Sequence, residues 1–289
     1  TWAQEEEKIN FRVEHERAAR NTVSFAATEL KEYLLQTLSK GDIQYGSKMD
    51  GAKFCIEIGV EDAASKAGEF WLELIDGGLR ISGSGRAGLL YGVYEFLRMQ
   101  GWRWYAPGKE GVIAPPVSSE LKLPEKKTRF VPSMPEGRGF DLQFLSKESA
   151  ALWIWMARNR LNVGPYRPLT APLANKRGMT FKNGGHVFEE MLDPDRIMPS
   201  GKTLWDEHRN WYGLPPDGTH SKELALKIQF CVSQEDLIDF LCEGLLDYLM
   251  GKWETADRID IWGFDTWGST CGCEKCRSIG DSTDQNLYF

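Results

Sequence analysis

Apolar and polar positions recur regularly enough to divide the chain into elements. "KINFRVEH" (8–15) and "AKFCIEIG" (52–59) read as half-buried strands, the second alternating with a period of two and ending at Gly59. Between them, "SFAATELKEYLLQTL" (24–38) sets Ala26, Leu30, Tyr33, Leu34 and Thr37 on one face at helical spacing, with Ser24 placed to cap it. "EFWLELID" (69–76) and "LRISG" (79–83) read as two strands turned by Asp76-Gly77-Gly78, a hairpin signal. A helix through Met99 follows, and "GWRWYAPG" (101–108) closes the region.

The rhythm then breaks. Pro115-Pro116, Pro124, Glu125-Lys126-Lys127, Pro132 and Pro135 have linker composition, which predicts a boundary near residue 125 and domains over 1–125 and 126–289. Beyond it, strands are expected at "GRGFDLQF" (137–144), "NVGPY" (162–166), "KIQFCVS" (227–233) and "RIDIWGFD" (258–265). Helices are expected at "SKESAALWIWMARNRL" (146–161), at "SQEDLIDFLCEGLLDYLMG" (233–251), opened by Ser233 and Asp236, and from Ser282 onward. Residues up to 226 after the second strand read as irregular. Alternating strands and helices with long loops after the strands predict an α/β fold, a parallel sheet of the (β/α) TIM-barrel kind. Eight such strands take roughly 250 residues. The barrel is therefore expected to be truncated after about four strands, with the C-terminus short of a natural domain end.

"RISGSGRAGLLYGVYEFL" (80–97) carries Gly83-x-Gly85-x-x-Gly88 between a strand and a helix, the dinucleotide-binding spacing. That fingerprint also requires a parallel βαβ unit and an acid about 20 residues on to hold the ribose. Here the strand belongs to a hairpin, and positions 103–108 read Arg-Trp-Tyr-Ala-Pro-Gly. The glycines are therefore read as a tight turn, with Gly88 and Gly92 letting the helix lie close on the sheet; no nucleotide is expected.

Composition narrows the partners. Charged residues are 27% and apolar ones 42%, the balance of a globular protein. A formal charge of −7 argues against nucleic acid and anionic membrane, and no apolar run is long enough for a membrane span. Eleven Trp residues suit either large cores or flat platforms for sugar rings.

"AATELKEYLLQ" (26–36), "FCIEIG" (54–59) and the stretch from Glu69 to Gly108 resemble the small N-terminal α/β accessory domain of glycoside hydrolases of families 20 and 67. "ARNRLNV" (157–163), "GGHVFEEML" (184–192), "QFCVSQED" (229–236) and "CGCEKCR" (271–277) are similar to bacterial barrels of the domain of unknown function 4838 type. Some of those are assigned to glycoside hydrolase family 163, endo-acting β-N-acetylglucosaminidases on complex N-glycans. The resemblance implies a secreted, periplasmic or cell-surface glycoside hydrolase that needs no cofactor for catalysis. The alternative is a non-catalytic carbohydrate-binding or scaffold protein on a degenerate barrel.

Asp265 ends the last predicted strand, between Trp262 and Trp267. The resembled families carry a catalytic acid at the end of the fourth barrel strand, which implies that role for Asp265. Family 20 has an adjacent Asp-Glu there, whereas this chain has Asp265-Thr266, so that family's substrate-assisted chemistry is not expected. A second carboxylate, as glycoside hydrolysis normally uses, is then expected beyond residue 289. Arg138 resembles the arginine that grips sugar hydroxyls in related barrels; its bland reading is an ion pair. His186 in "NGGH" sits where two glycines allow close approach, although a lone His is commonly structural. "WDEHRNWYG" (205–213) offers Asp206, Glu207, Trp211 and Tyr212 as a sugar-binding surface. Cys271-x-Cys273-x-x-Cys276 suits zinc, with Cys231 as the fourth ligand of a closed structural site; a disulfide or plain thiols are the alternatives.

Overall fold

The computed structural model describes residues 8–14, 20–39, 42–45, 54–60, 67–85, 87–135, 137–139, 150–165, 169–266 and 269–288. In chain order its elements are β1 (Lys8–Glu14), α1 (Arg20–Thr37), β2 (Asp42–Tyr45), β3 (Phe54–Val60), β4 (Phe70–Ile75), β5 (Gly78–Gly83), α2 (Gly88–Gln100), β6 (Arg103–Trp104), β7 (Val112–Ile113) and β8 (Thr128–Phe130). There follow α3 (Ala150–Arg158), β9 (Val163–Pro165), α4 (Ala171–Asn175), β10 (Thr180–Gly185), α5 (Val187–Met191), α6 (Leu204–His208), α7 (Glu235–Met250), β11 (Arg258–Ile261), α8 (Glu274–Ile279) and α9 (Ser282–Tyr288). The fold is mixed α/β. It divides into two compact units, Thr1–Phe181 and Lys182–Phe289.

The first unit is built on a six-stranded sheet of order β2-β1-β3-β5-β4-β8. β1, β2, β3 and β5 run parallel; β4 is antiparallel to both β5 and β8. The hairpin forms where predicted, with Gly77 at φ +72° and Ile75 opposite Gly78. α1 begins at Arg20, so Ser24 lies inside the helix rather than capping it. Ala26, Leu30, Tyr33, Leu34 and Thr37 are all buried, as the spacing predicts. The four apolar ones share a core with Ile56, Ile58, Leu72, Leu79, Ile81 and, from α2, Leu89, Leu90, Val93, Tyr94, Phe96 and Leu97. Each fully buried Leu or Ile contributes about 1.5–3 kcal/mol. Two indoles are buried with their polar ends satisfied: Trp102 Nε1 donates to Thr37 Oγ1 (2.9 Å) and Trp104 Nε1 to Tyr33 Oη (3.1 Å).

The fingerprint glycines serve close backbone packing. A Cβ on Gly83 would stand 2.0 Å from Leu89 N, one on Gly88 2.4 Å from Glu69 O, and one on Gly92 2.8 Å from Ile81 Cγ2. Gly85 holds φ +66°. The first α2 amide, Gly88 N–H, already donates to Ser84 O at 3.1 Å.

The proline-rich stretch is not free linker. The Gln100 amide brackets Lys122, donating to its carbonyl (2.9 Å) and accepting from its N–H (2.8 Å). β8 then forms the outer strand beside β4, with Phe130 stacked on Phe70 at 4.6 Å. α3 also belongs to this unit: Leu152, Trp153, Met156 and Ala157 join its core, and Trp155 Nε1 and Asn159 Nδ2 both donate to Trp104 O. The boundary expected near 125 thus falls within the first unit. Of the strand expected at 137–144, only 137–139 lies within the described residues.

In the second unit the order of strands differs from expectation. Residues 180–185, read as irregular, form β10, which pairs in parallel with β11 from Lys182 opposite Arg258 to Gly185 opposite Ile261. Gly184 makes this pairing possible: at φ +104°, a Cβ there would lie 1.9 Å from Asp260 O. The strand expected at 227–233 does not form. Residues 228–232 are buried, but their backbone serves two loops instead of a ladder: Gln229 N donates to Ser269 O (3.0 Å) and Cys231 N to Trp211 O (2.7 Å). α7 buries Leu237 and Leu241 and stops at Gly251. Gln234, not Ser233, stands at its N-cap, and no side chain caps it.

Candidate functional site

β10 and β11 are parallel, so their C-terminal ends, Gly185 and Ile261, open onto the same side. A cavity of about 600 Å³ lies there, lined among others by His186, Phe230, Trp262, Asp265 and Gln285. The outer ends of parallel strands are where α/β folds gather functional side chains, because the loops there are free to vary. His186, Trp262 and Asp265 are thus brought together in one cavity.

Hydrogen bonds fix this site from below. His186 Nδ1 meets Gly263 O at 2.6 Å. A carbonyl can only accept, so Nδ1 carries the proton, and Nε2 is the acceptor of the neutral ring. The imidazole packs edge-on against Trp262, centroids 5.1 Å apart, and the indole remains 49% exposed. Such an indole offers a flat apolar face to a ligand. The Asp265 N–H donates to Glu189 Oε1 at 2.7 Å, and the exposed Asp265 carboxylate accepts no hydrogen bond among the described residues. Beneath them Gln229, 8% exposed, accepts from Phe264 N–H (2.9 Å) and donates to Phe264 O (2.6 Å) and Thr266 Oγ1 (3.1 Å). Gly263 must be glycine to let this amide in: a Cβ would lie 2.6 Å from Gln229 Oε1. Glu189 and Gln229 were not singled out by sequence reasoning, although both lie inside stretches that carry the family resemblance. Gln229 had one available signal, its place two residues before Cys231 on the same buried segment.

Below the same loop, the sulfurs of Cys231, Cys271, Cys273 and Cys276 all lie within 4.8 Å of one another. Cys231 Sγ is 3.7 Å from Cys273 Sγ and 3.6 Å from Cys276 Sγ. Three of the four are buried, and no disulfide links them. Hydrogen bonds from Cys271 and then Ser233 push the Cys231 thiol down to about 4, against the effect of burial. The hydrogen bond to Cys231, and then burial, push Cys271 up, and burial pushes Cys276 up to about 11.

The other expected sugar contacts sit elsewhere. Trp211 and Tyr212 are 3% and 1% exposed, in the core of the second unit. Trp211 Nε1 donates to Asp236 Oδ2 (2.8 Å), its ring stacks on His208 at 3.7 Å, and Tyr212 Oη donates to Leu192 O (3.1 Å). Burial and the nearby Asp193 and Asp195 push the Tyr212 hydroxyl up. Neither ring has a face left for a ligand. Asp206 is spent on Thr203, whose hydroxyl donates to it at the start of α6 (2.7 Å). Arg138 lies in the first unit, donating from Nε to Arg160 O (2.8 Å) and from Nη1 to Met134 O, with its guanidinium 5.7 Å from the Tyr91 ring centre. Trp267 lies outside the described residues.

No family model matches the chain, and no curated protein matches it. Several solved structures do. A GH20 β-N-acetylhexosaminidase from Streptomyces coelicolor is 15% identical with a TM-score of 0.45, over 84% of this chain and 53% of that one. A β-N-acetylhexosaminidase from Bacteroides fragilis is 11% identical with a TM-score of 0.44, over 99% and 59%. A GH138 enzyme targeting pectin rhamnogalacturonan II is 12% identical with a TM-score of 0.45, over 88% and 30%. The chain therefore spans between 30% and 59% of the length of these three proteins.

Proposed function

We propose that this chain is part of a hydrolase acting on complex glycans, of the domain of unknown function 4838 and glycoside hydrolase family 163 kind, and that its site is the cavity at the ends of β10 and β11. In this reading β10 and β11 are successive strands of a (β/α) barrel. The single observation that carries it is the pairing in one cavity of a half-exposed indole, Trp262, with the Asp265 carboxylate, which has no hydrogen-bond partner among the described residues. Trp262 stacks on the C–H face of a pyranose. Asp265 works at the glycosidic bond as the carboxylate that gives or withdraws a proton. Glu189 is a positioning residue, since its carboxylate holds the Asp265 backbone. His186 Nε2, the ring nitrogen not held by Gly263 O, faces a sugar hydroxyl. No cofactor enters this chemistry, which needs only carboxyl groups and water. The substrate places the protein at the cell surface, in the periplasm or outside the cell.

One observation favours a second reading, a carbohydrate-binding module without turnover. Glu189, the carboxylate next to Asp265, is engaged by backbone and so is not free to act as the partner acid or base. One experiment separates the two. The protein is incubated with complex N-glycans, xylan fragments and chitooligosaccharides, with release followed by chromatography and binding by tryptophan fluorescence. Hydrolysis predicts release that falls about 100-fold or more in Asp265→Asn. The binding reading predicts a fluorescence response lost in Trp262→Ala and no release. Absence of both sinks the assignment of this cavity.

A further inference from the structure

We propose that Cys231, Cys271, Cys273 and Cys276 bind one zinc ion as four thiolates, in a closed site whose role is to lock the segments beneath the glycan cavity. This stands on sulfur geometry and is independent of the hydrolase reading.

Four zinc–sulfur bonds of about 2.3 Å in a tetrahedron set neighbouring sulfurs about 3.8 Å apart. The two closest sulfur pairs, at 3.6 and 3.7 Å, already have that spacing, and all four sulfurs fall within 4.8 Å. A disulfide would draw two of them to about 2.05 Å and leave the other two without a role. The four ligands come from two separate stretches of chain, so an ion ties the 227–233 segment to the loop after Asp265.

The surroundings suit the charge of such a centre. Four thiolates around one dication leave two negative charges in a buried place, which need hydrogen-bond donors. Leu214 N–H donates to Cys271 Sγ and Cys276 N–H to Cys273 Sγ, each at 3.4 Å. The Ser233 hydroxyl lies 3.2 Å from Cys231 Sγ and 3.6 Å from Cys273 Sγ. Gln234 Nε2 donates to Cys231 Sγ at 3.8 Å. Leu214, Ser233 and Gln234 thus form an outer ring of donors, and Ser233 is drawn here instead of capping α7. Among the described residues no histidine or carboxylate joins the cluster, so no coordination position is left open for water. The ion is therefore structural. On binding, sulfur–zinc bonds replace the remaining S–H bonds, the displaced protons pass to solvent, and nothing is oxidised or reduced.

The test is metal analysis of the protein purified without chelator and without a metal-affinity column. About one zinc per chain is expected. Cobalt(II) replacing the ion should give sulfur-to-cobalt charge-transfer bands and the strong visible bands of a tetrahedral site. Cys273→Ser, at the least buried ligand, should weaken metal retention at least tenfold against a competing chelator. Cys242→Ser, an exposed cysteine outside the cluster, should leave metal content unchanged. If Cys273→Ser does not fold, the cobalt spectrum and metal content of the unaltered protein still decide the matter. Fewer than about 0.3 zinc per chain with no cobalt spectrum, iron in place of zinc, or a disulfide within the cluster would each overturn the proposal.

Discussion

Gln229→Leu tests whether a buried amide holds the loop that carries Asp265. Leucine fills similar space but cannot bond. Three hydrogen bonds disappear, to Phe264 N–H, Phe264 O and Thr266 Oγ1. Phe264 and Thr266 are 4% and 8% exposed, so water cannot readily take over. The orphaned Phe264 N–H is the heaviest loss, at about 1–3 kcal/mol, because a buried donor is left with no partner. The Phe264 carbonyl loses one lone-pair contact, and Thr266 keeps its bond to Ser269 O at 3.2 Å. The sum is about 2–4 kcal/mol. Urea denaturation should show it as a lower midpoint at unchanged slope, and amide exchange at Phe264 should accelerate selectively. Gln229→Glu should also destabilise at neutral pH, by setting a carboxylate against the Phe264 carbonyl, and the loss should shrink in acid as Glu regains a proton to donate. A loss below about 0.5 kcal/mol in Gln229→Leu, with Phe264 exchange unchanged, would refute the reasoning.

Trp211→Phe, which removes the bond to Asp236, should cost about 1.5–3 kcal/mol in urea denaturation and leave glycan affinity unchanged; reduced affinity at unchanged stability would return Trp211 to a ligand surface. Gly92→Ala sets a helix-propensity gain of about 1 kcal/mol against about 1–3 kcal/mol of overpacking on Ile81, for a net loss of up to about 2 kcal/mol. A gain in midpoint there would show that α2 does not need glycine to approach the sheet. Lys252 hydrogen-bonds both Glu190 carboxylate oxygens, at 3.0 and 2.9 Å, and holds that carboxyl below its ordinary 4.5. The pair's contribution is therefore present above about pH 4.5 and lost as pH falls through the depressed folded value. At 64% exposure it is worth less than about 1 kcal/mol, so the wild-type advantage over Glu190→Gln should be small and should vanish in acid; an advantage growing in acid would contradict the assignment.

What could be read from sequence alone tracks how local the determining interaction is. α1 was legible because its buried face repeats every three to four residues, and the β4–β5 hairpin because Asp76-Gly77-Gly78 specifies a turn. β10 was missed because "TFKNGG" lacks an apolar run, and the need for glycine at 184 comes from Asp260, distant in sequence. Residues 227–233 misled in the opposite sense: Ile228, Phe230 and Val232 are buried like a strand, yet their backbone has no ladder partner. In the candidate site, the cysteine spacing pointed to a cluster that the fold does assemble. The loop composition at 205–213 misdirected, because an indole, a phenol and acids can face a ligand or satisfy one another in a core. Only the fold shows that Trp211 faces Asp236. Glu189 and Gln229 act through backbone groups 76 and 35 residues away, which no local pattern reveals.

The three-residue strand β8 has a consequence for where the protein can be divided. A fragment cut at the proline-rich stretch would lose β8 and α3 together. β4 would then present an unpaired row of backbone donors and acceptors beside the bare ring of Phe70, and Trp104 would lose the helix that covers it. An open edge flanked by apolar side chains is a template for joining strands from other copies. The segment that looks most like a seam thus covers part of β4, and an excised first unit that keeps this cover is one that carries the chain through β8 and α3.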